Sequence, residues 1–363
     1  MNCNKQPNNP PASKRRKSND TIHASNHIGE STRTKPAPGS TETPTAAIDL
    51  DQPKKQTVAQ LTTLPLELVA QIMSWIRPTK VWPLRGLSKA FNNLISSTSF
   101  ASLNLDRILP SDAGSSVYYK LGKVFDGPES YQSEYVRKYL IDCCTIRIYQ
   151  EFPHPIPKIW LRELKNLVHW KMSQCGLVGT IPHEIGNLNN LETLEFFDNK
   201  LVGEIPSTIG NLGRLTSLVL SEKRLEGYLP SELGNLVLLT NLEITCKNVM
   251  GPIPVEIGNL TKLEVLKLSF KKNRLVPNHL PRELGKLTSL VLLDINCCKL
   301  DGTIPLEFGE LVHLRHIDLS RNNLNGPVPA EFTQLAFDFC GFYGNPKLSF
   351  PFPVPADWFV NQA

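Results

Sequence analysis

LETLEFFDNKLVGEIPSTIGNL, residues 191–212, decides the fold. Leu191, Leu194 and Phe196 set an LxxLxL block, and its LxL alternation puts two side chains on one face of a short strand. Asn199 follows where the chain leaves the strand, and its amide suits backbone hydrogen bonds there. Gly203 lets the backbone turn without a Cβ clash, and Pro206 fixes the return. Ile205, Ile209 and Leu212 offer core on the way back. One such strand cannot bury its apolar face alone, so the stretch requires neighbours of its own kind.

The chain supplies them. Aligned on Pro182, Pro206, Pro230, Pro254, Pro281, Pro305 and Pro329, the steps are 24, 24, 24, 27, 24 and 24 residues. The block starts as Leu167-Trp170-Met172 and ends as Leu314-Ile317-Leu319. Stacked copies make a continuous parallel sheet with a shared core. Cys175 and Cys298 stand where Asn199 and Asn322 do, whereas Lys223, Lys247 and Lys271 do not fit, so the Asn ladder is expected to break across the third to fifth repeats. These motifs resemble the leucine-rich-repeat family, in its 24-residue LxGxIPxxLGxL class common in plant receptor ectodomains. The resemblance covers about 161–348, and FYGNPKL (342–348) resembles the closing segment of such arrays. The expected fold is an α/β solenoid, a horseshoe of about seven repeats with a parallel concave sheet.

Upstream the composition changes. Residues 1–57 are polar, hold nine Lys or Arg against five acids, and cannot bury enough apolar surface to fold. They read as a disordered basic tail whose KRRK (Lys14, Arg15, Arg16, Lys17) is either a nuclear-localisation signal or a solvated charge run. The chain's net charge of +5 therefore sits mostly in this tail, the rest is nearly neutral, and a general nucleic-acid role gets no support. No window has the apolar length of a membrane span or of a signal-peptide core, which predicts an intracellular chain, cytoplasmic and possibly nuclear.

Residues 58–104 carry apolar side chains at helical spacing: Leu68, Ile72 and Ile76 share a face that Val69, Met73 and Trp75 widen. Pro65 suits the first turn. Leu64, Pro65, Leu68, Ile72, Ile76, Val81, Leu84, Leu87 and Phe91 resemble an F-box, a small three-helix domain. That resemblance implies docking of these residues on a Skp-type adaptor of a cullin–RING ligase. The chain would then be the substrate-recognition subunit of an SCF-type ubiquitin ligase. The alternative is a non-catalytic scaffold whose N-terminal helices only cap the solenoid. Residues 105–160 read as a bridge and N-terminal cap, 161–336 as the repeats, and 337–363 as a C-terminal cap and tail.

Solenoids bind through the concave sheet, whose outward positions the core does not need. In the order L-x-x-L-x-L-x-x-N these are the third, fifth, seventh and eighth positions. They predict a target-binding face of His169, Lys171, Glu195, Phe197, Asp198, Glu222, Glu243, Lys267, Phe270, Asp294, Asp318 and Arg321. Acids outnumber bases there, which favours a protein target with a basic segment. Phe197 and Phe270 are expected as exposed aromatic anchors. The insertion at 269–279 carries Lys271, Lys272 and Arg274. No nucleotide-binding, zinc-protease or serine-hydrolase motif occurs, and the cysteines show no CxxC spacing. No catalysis, cofactor, metal or obligate homo-oligomer is expected.

Overall fold

Each LxL block becomes a strand in the computed structural model, which describes residues 65–108 except Trp75 and Leu87, then 124–149, 151–270, 278–356 and 358–359. The basic tetrad Lys14, Arg15, Arg16 and Lys17, with Leu64, Leu87, Lys271, Lys272 and Arg274, lies outside the described residues. The helices and the repeats belong to one unit, Thr57–Ala363.

A ten-stranded parallel sheet runs in sequence order. Its strands are β1 (Thr145–Ile148), β2 (His169–Ser173), β3 (Thr193–Phe197), β4 (Ser217–Ser221) and β5 (Asn241–Cys246). They continue as β6 (Val265–Phe270), β7 (Leu292–Asp294), β8 (His316–Asp318), β9 (Phe339–Gly341) and β10 (Trp358–Phe359). Pairing aligns equivalent repeat positions, as Lys171 with Glu195 and Glu195 with Val219. Leu194 and Phe196, and their counterparts in the other repeats, are fully buried. The sheet thus extends one strand before the seven repeats and two beyond them. The fold is a leucine-rich-repeat solenoid with a small helical region before it.

The IPxxIGNL half returns as a one-turn 3-10 helix in every repeat, such as Ser207–Asn211 after Pro206 and Ser231–Asn235 after Pro230. Proline precedes the first turn, where an N–H would lack a helical partner anyway. These turns stack so closely that a Cβ on Gly210 would lie 2.4 Å from the Glu232 carbonyl oxygen. Gly203 holds φ +77, the left-handed turn its position predicted.

Among the described residues six α-helices precede or join the array: α1 (Leu66–Met73), α2 (Pro78–Val81), α3 (Lys89–Ile95), α4 (Thr98–Ile108), α5 (Glu129–Tyr135) and α6 (Lys158–Glu163). Ser88 caps α3 through the Phe91 N–H. Trp160 of α6 covers the first repeat, with its ring 5.8 Å from that of Trp170 and stacked on Phe152. The N-terminal end of the solenoid is thereby closed by α6 and the segment before β2, while α4 packs on α5 one layer farther out.

Helix α1 corrects the single wide apolar face expected for it. Val69 and Met73 are buried, four apart. Leu66, Leu68 and Ile72 are each 45% exposed. Val81 and Phe91 are also buried, so they hold the helices together and are not available to an adaptor as expected. Ile76 and Leu84 are half-buried against that core, and Pro65 is exposed.

Candidate functional site

Strand alternation sends every second side chain of β2–β8 to the open side. There the fifth repeat position forms a row: Lys171, Glu195, Val219, Glu243, Lys267, Asp294, Asp318, preceded by Arg147 on β1. Four of these groups neutralise one another. Lys171 Nζ lies 2.6 Å from Glu195 Oε1, and Lys267 Nζ lies 3.6 Å from Glu243 Oε2. Asp294 and Asp318 stand side by side without a cation in ion-pair range among the described residues. Burial, and then the neighbouring Asp318 charge, raises the Asp294 carboxyl above the ordinary aspartate range. A cationic group arriving there relieves that strain. From Lys171 to Lys267 the row is therefore internally paired, and it carries unbalanced negative charge at its C-terminal end. Beside that end the His316 and Phe339 rings stack at 4.5 Å, and Arg321 lies over the Tyr343 ring at 5.3 Å.

His169 shares the third position with Thr193, its Nδ1 3.1 Å from the threonine hydroxyl. Phe197 is 45% exposed on the open side. Asp198 is partly exposed and ion-paired with Lys223, which pulls its carboxyl below the ordinary range. Two expected face residues lie elsewhere. Glu222 and Phe270 are buried, as is Cys246 at the same eighth position.

The reason is backbone conformation. At Gln174, Asp198, Cys297 and Arg321 the eighth residue takes φ between 52° and 56°. That left-handed step ends the alternation and carries the ninth residue, Cys175, Asn199, Cys298 or Asn322, into the core. Glu222, Cys246 and Phe270 do not take it. Alternation continues, so the eighth side chain follows the fourth and sixth inward. β5 and β6 each run one residue longer for this reason.

At the junction between the two modes sits a polar cluster. Asn199 Oδ1 accepts from the Cys175 N–H at 3.1 Å and the Leu177 N–H at 3.4 Å. Its Nδ2 donates to the Met172 carbonyl at 3.0 Å and to Glu222 Oε1 at 2.9 Å. The Asn199 N–H donates to the Glu222 carboxylate at 3.1 Å. Glu222 thus does for Asn199 what Asn199 does for Cys175. Asn322 repeats the pattern on Cys298 and Leu300, and Asn345 of the closing segment extends it to Leu324.

Burial raises the Glu222 carboxyl above the ordinary glutamate range, against the donors from Asn199. The folded state then holds this proton more tightly than the unfolded chain does. Its contribution is full at low pH and is lost as pH rises from the ordinary glutamate value to the raised one. Glu222→Gln removes that loss. Melting temperature followed upward from about pH 4.5 should fall less steeply in the variant than in the parent. Parallel curves would show that Glu222 does not titrate in this window.

Among the described residues no group of His, Cys, Asp or Glu is placed to hold a metal ion. No helix there is long and apolar enough to cross a membrane.

Comparison with known proteins agrees with this architecture. Residues 154–277 match the sequence profile of the leucine-rich repeat region, and 289–311 and 313–335 match that of the leucine-rich repeat. No curated protein sequence matches the chain. A solved plant peptide hormone receptor, RGFR1 in complex with RGF2, is 30% identical over 60% of this chain and 35% of its own, with a TM-score of 0.51. The ectodomain of the Arabidopsis thaliana membrane receptor kinase GASSHO1/SCHENGEN3 is 32% identical over 55% and 26%, with a TM-score of 0.46. That of the Arabidopsis receptor kinase HAESA is 30% identical over 55% and 33%, at 0.47. The chain spans about a third of the length of these receptor chains. The array is a leucine-rich-repeat protein-interaction domain. The expected intracellular placement is corrected by the likeness to the RGFR1 plant peptide hormone receptor, which points away from an intracellular location.

Proposed function

We propose that this chain is a non-catalytic recognition protein that captures a basic segment of a protein partner on its concave sheet. The observation that carries it is the Asp294–Asp318 pair, the stretch of the fifth-position row that no cation balances. Opposite charge on a partner is drawn there, and the array's other ion pairs fix its register. The peptide-bound state of the RGFR1 receptor is support for a polypeptide ligand on this kind of scaffold. Reversal of Asp294 and Asp318 to Lys tests it. Captured partners from a binding screen should lose about tenfold or more in affinity, with Glu195→Lys weaker in effect because Lys171 already occupies it. Undiminished binding removes the concave assignment.

A second reading is favoured by α1. Leu68 and Ile72, four apart, form an exposed apolar face, and α6 already closes the solenoid, so capping leaves that face unused. The F-box-like reading gives it an occupant, a Skp-type adaptor, and makes the chain a target-recognition subunit of an SCF-type ligase. Co-purification with such an adaptor checks this, repeated with Leu68→Asp and Ile72→Asp. These exposed positions leave the Val69–Met73 core intact, so loss of the complex reports the interface. Failure of the parent chain to form a complex removes the adaptor reading and leaves the concave one standing.

A further inference from the structure

The conformation that turns Glu222 and Cys246 inward has a counterpart on the outside. Lys223 and Lys247, at the ninth position, are left exposed where Asn199 and Asn322 are buried. They stand on the rim at the C-terminal ends of the strands, next to exposed Lys200 and Arg224. Lys200, Lys223 and Arg224 share one groove of about 650 Å³. Two carboxylates also face it, Glu151 and Asp198, and Asp198 is engaged by Lys223. Glu226 lies farther along the strand Arg224–Tyr228, and Glu204 just past the end of the strand Lys200–Gly203. Among the described residues Lys200, Arg224 and Lys247 have no carboxylate in ion-pair range.

This cluster is separate from the concave row, which is negative at its open end. Neighbouring repeats lie about 5 Å apart, so the second to fourth repeats present cations over roughly 10 Å. An extended polypeptide brings alternate side chains to one side about 7 Å apart, which suits carboxylates crossing these repeats. Pro153, Gln174, Cys175, Gly176 and Asn199 complete the groove's lining, and no aromatic ring lines it. Nucleobases therefore find no stacking platform.

We propose that this rim docks an acidic polypeptide segment, on a surface distinct from the concave sheet. The test uses the full chain and a fluorescent peptide of about twelve residues built from Glu and Ser, followed by anisotropy as salt is raised. Binding that weakens with salt, absent for a Gln–Ser peptide, is expected. Lys200→Glu, Arg224→Glu and Lys247→Glu together should weaken it by about tenfold or more, while Asp294→Lys with Asp318→Lys should not weaken it. If the reversed variant melts early, the same three positions changed to Gln decide, with weakening again required. Equal binding by these variants overturns the proposal. So does tighter binding of a single-stranded RNA of similar length, which would make the rim a general polyanion site. The concave variants read the other face, so loss of one assignment leaves the other measurable.

Discussion

Asn199→Ala should lower the stability of the folded chain by about 4 kcal/mol, the largest loss expected from one polar side chain here. The amide is the hub of the ladder. Its removal takes the side-chain partner from the N–H groups of Cys175 and Leu177 and from the Met172 carbonyl, all on buried residues. It also takes a donor from the Glu222 carboxylate, which is already held against its desolvation cost. Each unpaired buried group costs roughly 1–3 kcal/mol, and relaxation recovers part of the sum. Urea unfolding gives the measurement, with exposed Asn211→Ala as the comparison, expected within about 0.5 kcal/mol of the parent. Equal midpoints for the two variants would show that the ladder contributes nothing to stability.

Gly210→Ala should be the next most damaging, at about 3 kcal/mol, although it adds a single methyl group. The added carbon would meet the Glu232 carbonyl oxygen at 2.4 Å and its Cβ at 2.7 Å, both on the rigid turn of the next repeat. Neither is the loose end of a flexible side chain, so the two turns must separate. Gly213, three residues on, has nothing within 4 Å of the same added atom. Gly213→Ala should therefore be neutral or slightly stabilising, by up to about 1 kcal/mol, through a less free unfolded chain. Thermal melts of the pair isolate stacking from glycine content. Matching melting temperatures would refute the close-packing account.

The repeats were legible because each core position recurs in one register. Leu194, Leu218, Leu242 and Leu266 serve the same place, so one misread residue is outvoted by its equivalents. What the pattern could not carry was the conformation of the eighth residue. Asp198 and Glu222 are chemically alike, and only the φ of the backbone sends one to solvent and the other into the core. The misfit of Lys223 and Lys247 at the ninth position was the available signal: a lysine is not buried there, so its neighbour must be. Phe270 was misplaced for the same reason. In α1 the difficulty was geometric. Leu68 and Val69 are adjacent in sequence and about 100° apart on a helix, so apolar spacing alone does not tell which of the two meets the core. The concave ion pairs were implicit in the 24-residue register, which sets Lys171 beside Glu195, and the structure adds that the two side chains turn to one another.

The junction at Asn199 and Glu222 limits how this array could be rebuilt by recombination. Excising one unit is a tolerable edit wherever the two flanking units share a mode, because the new neighbours meet as the old ones did. Removing residues 239–262 brings Glu222 against Phe270, both of the inward type. Removing 215–238 instead sets Cys246 opposite Asn199, whose N–H then faces a thiol in place of a carboxylate. Two deletions of identical length should thus differ in stability, and the units of this solenoid have an order that their shared repeat pattern conceals.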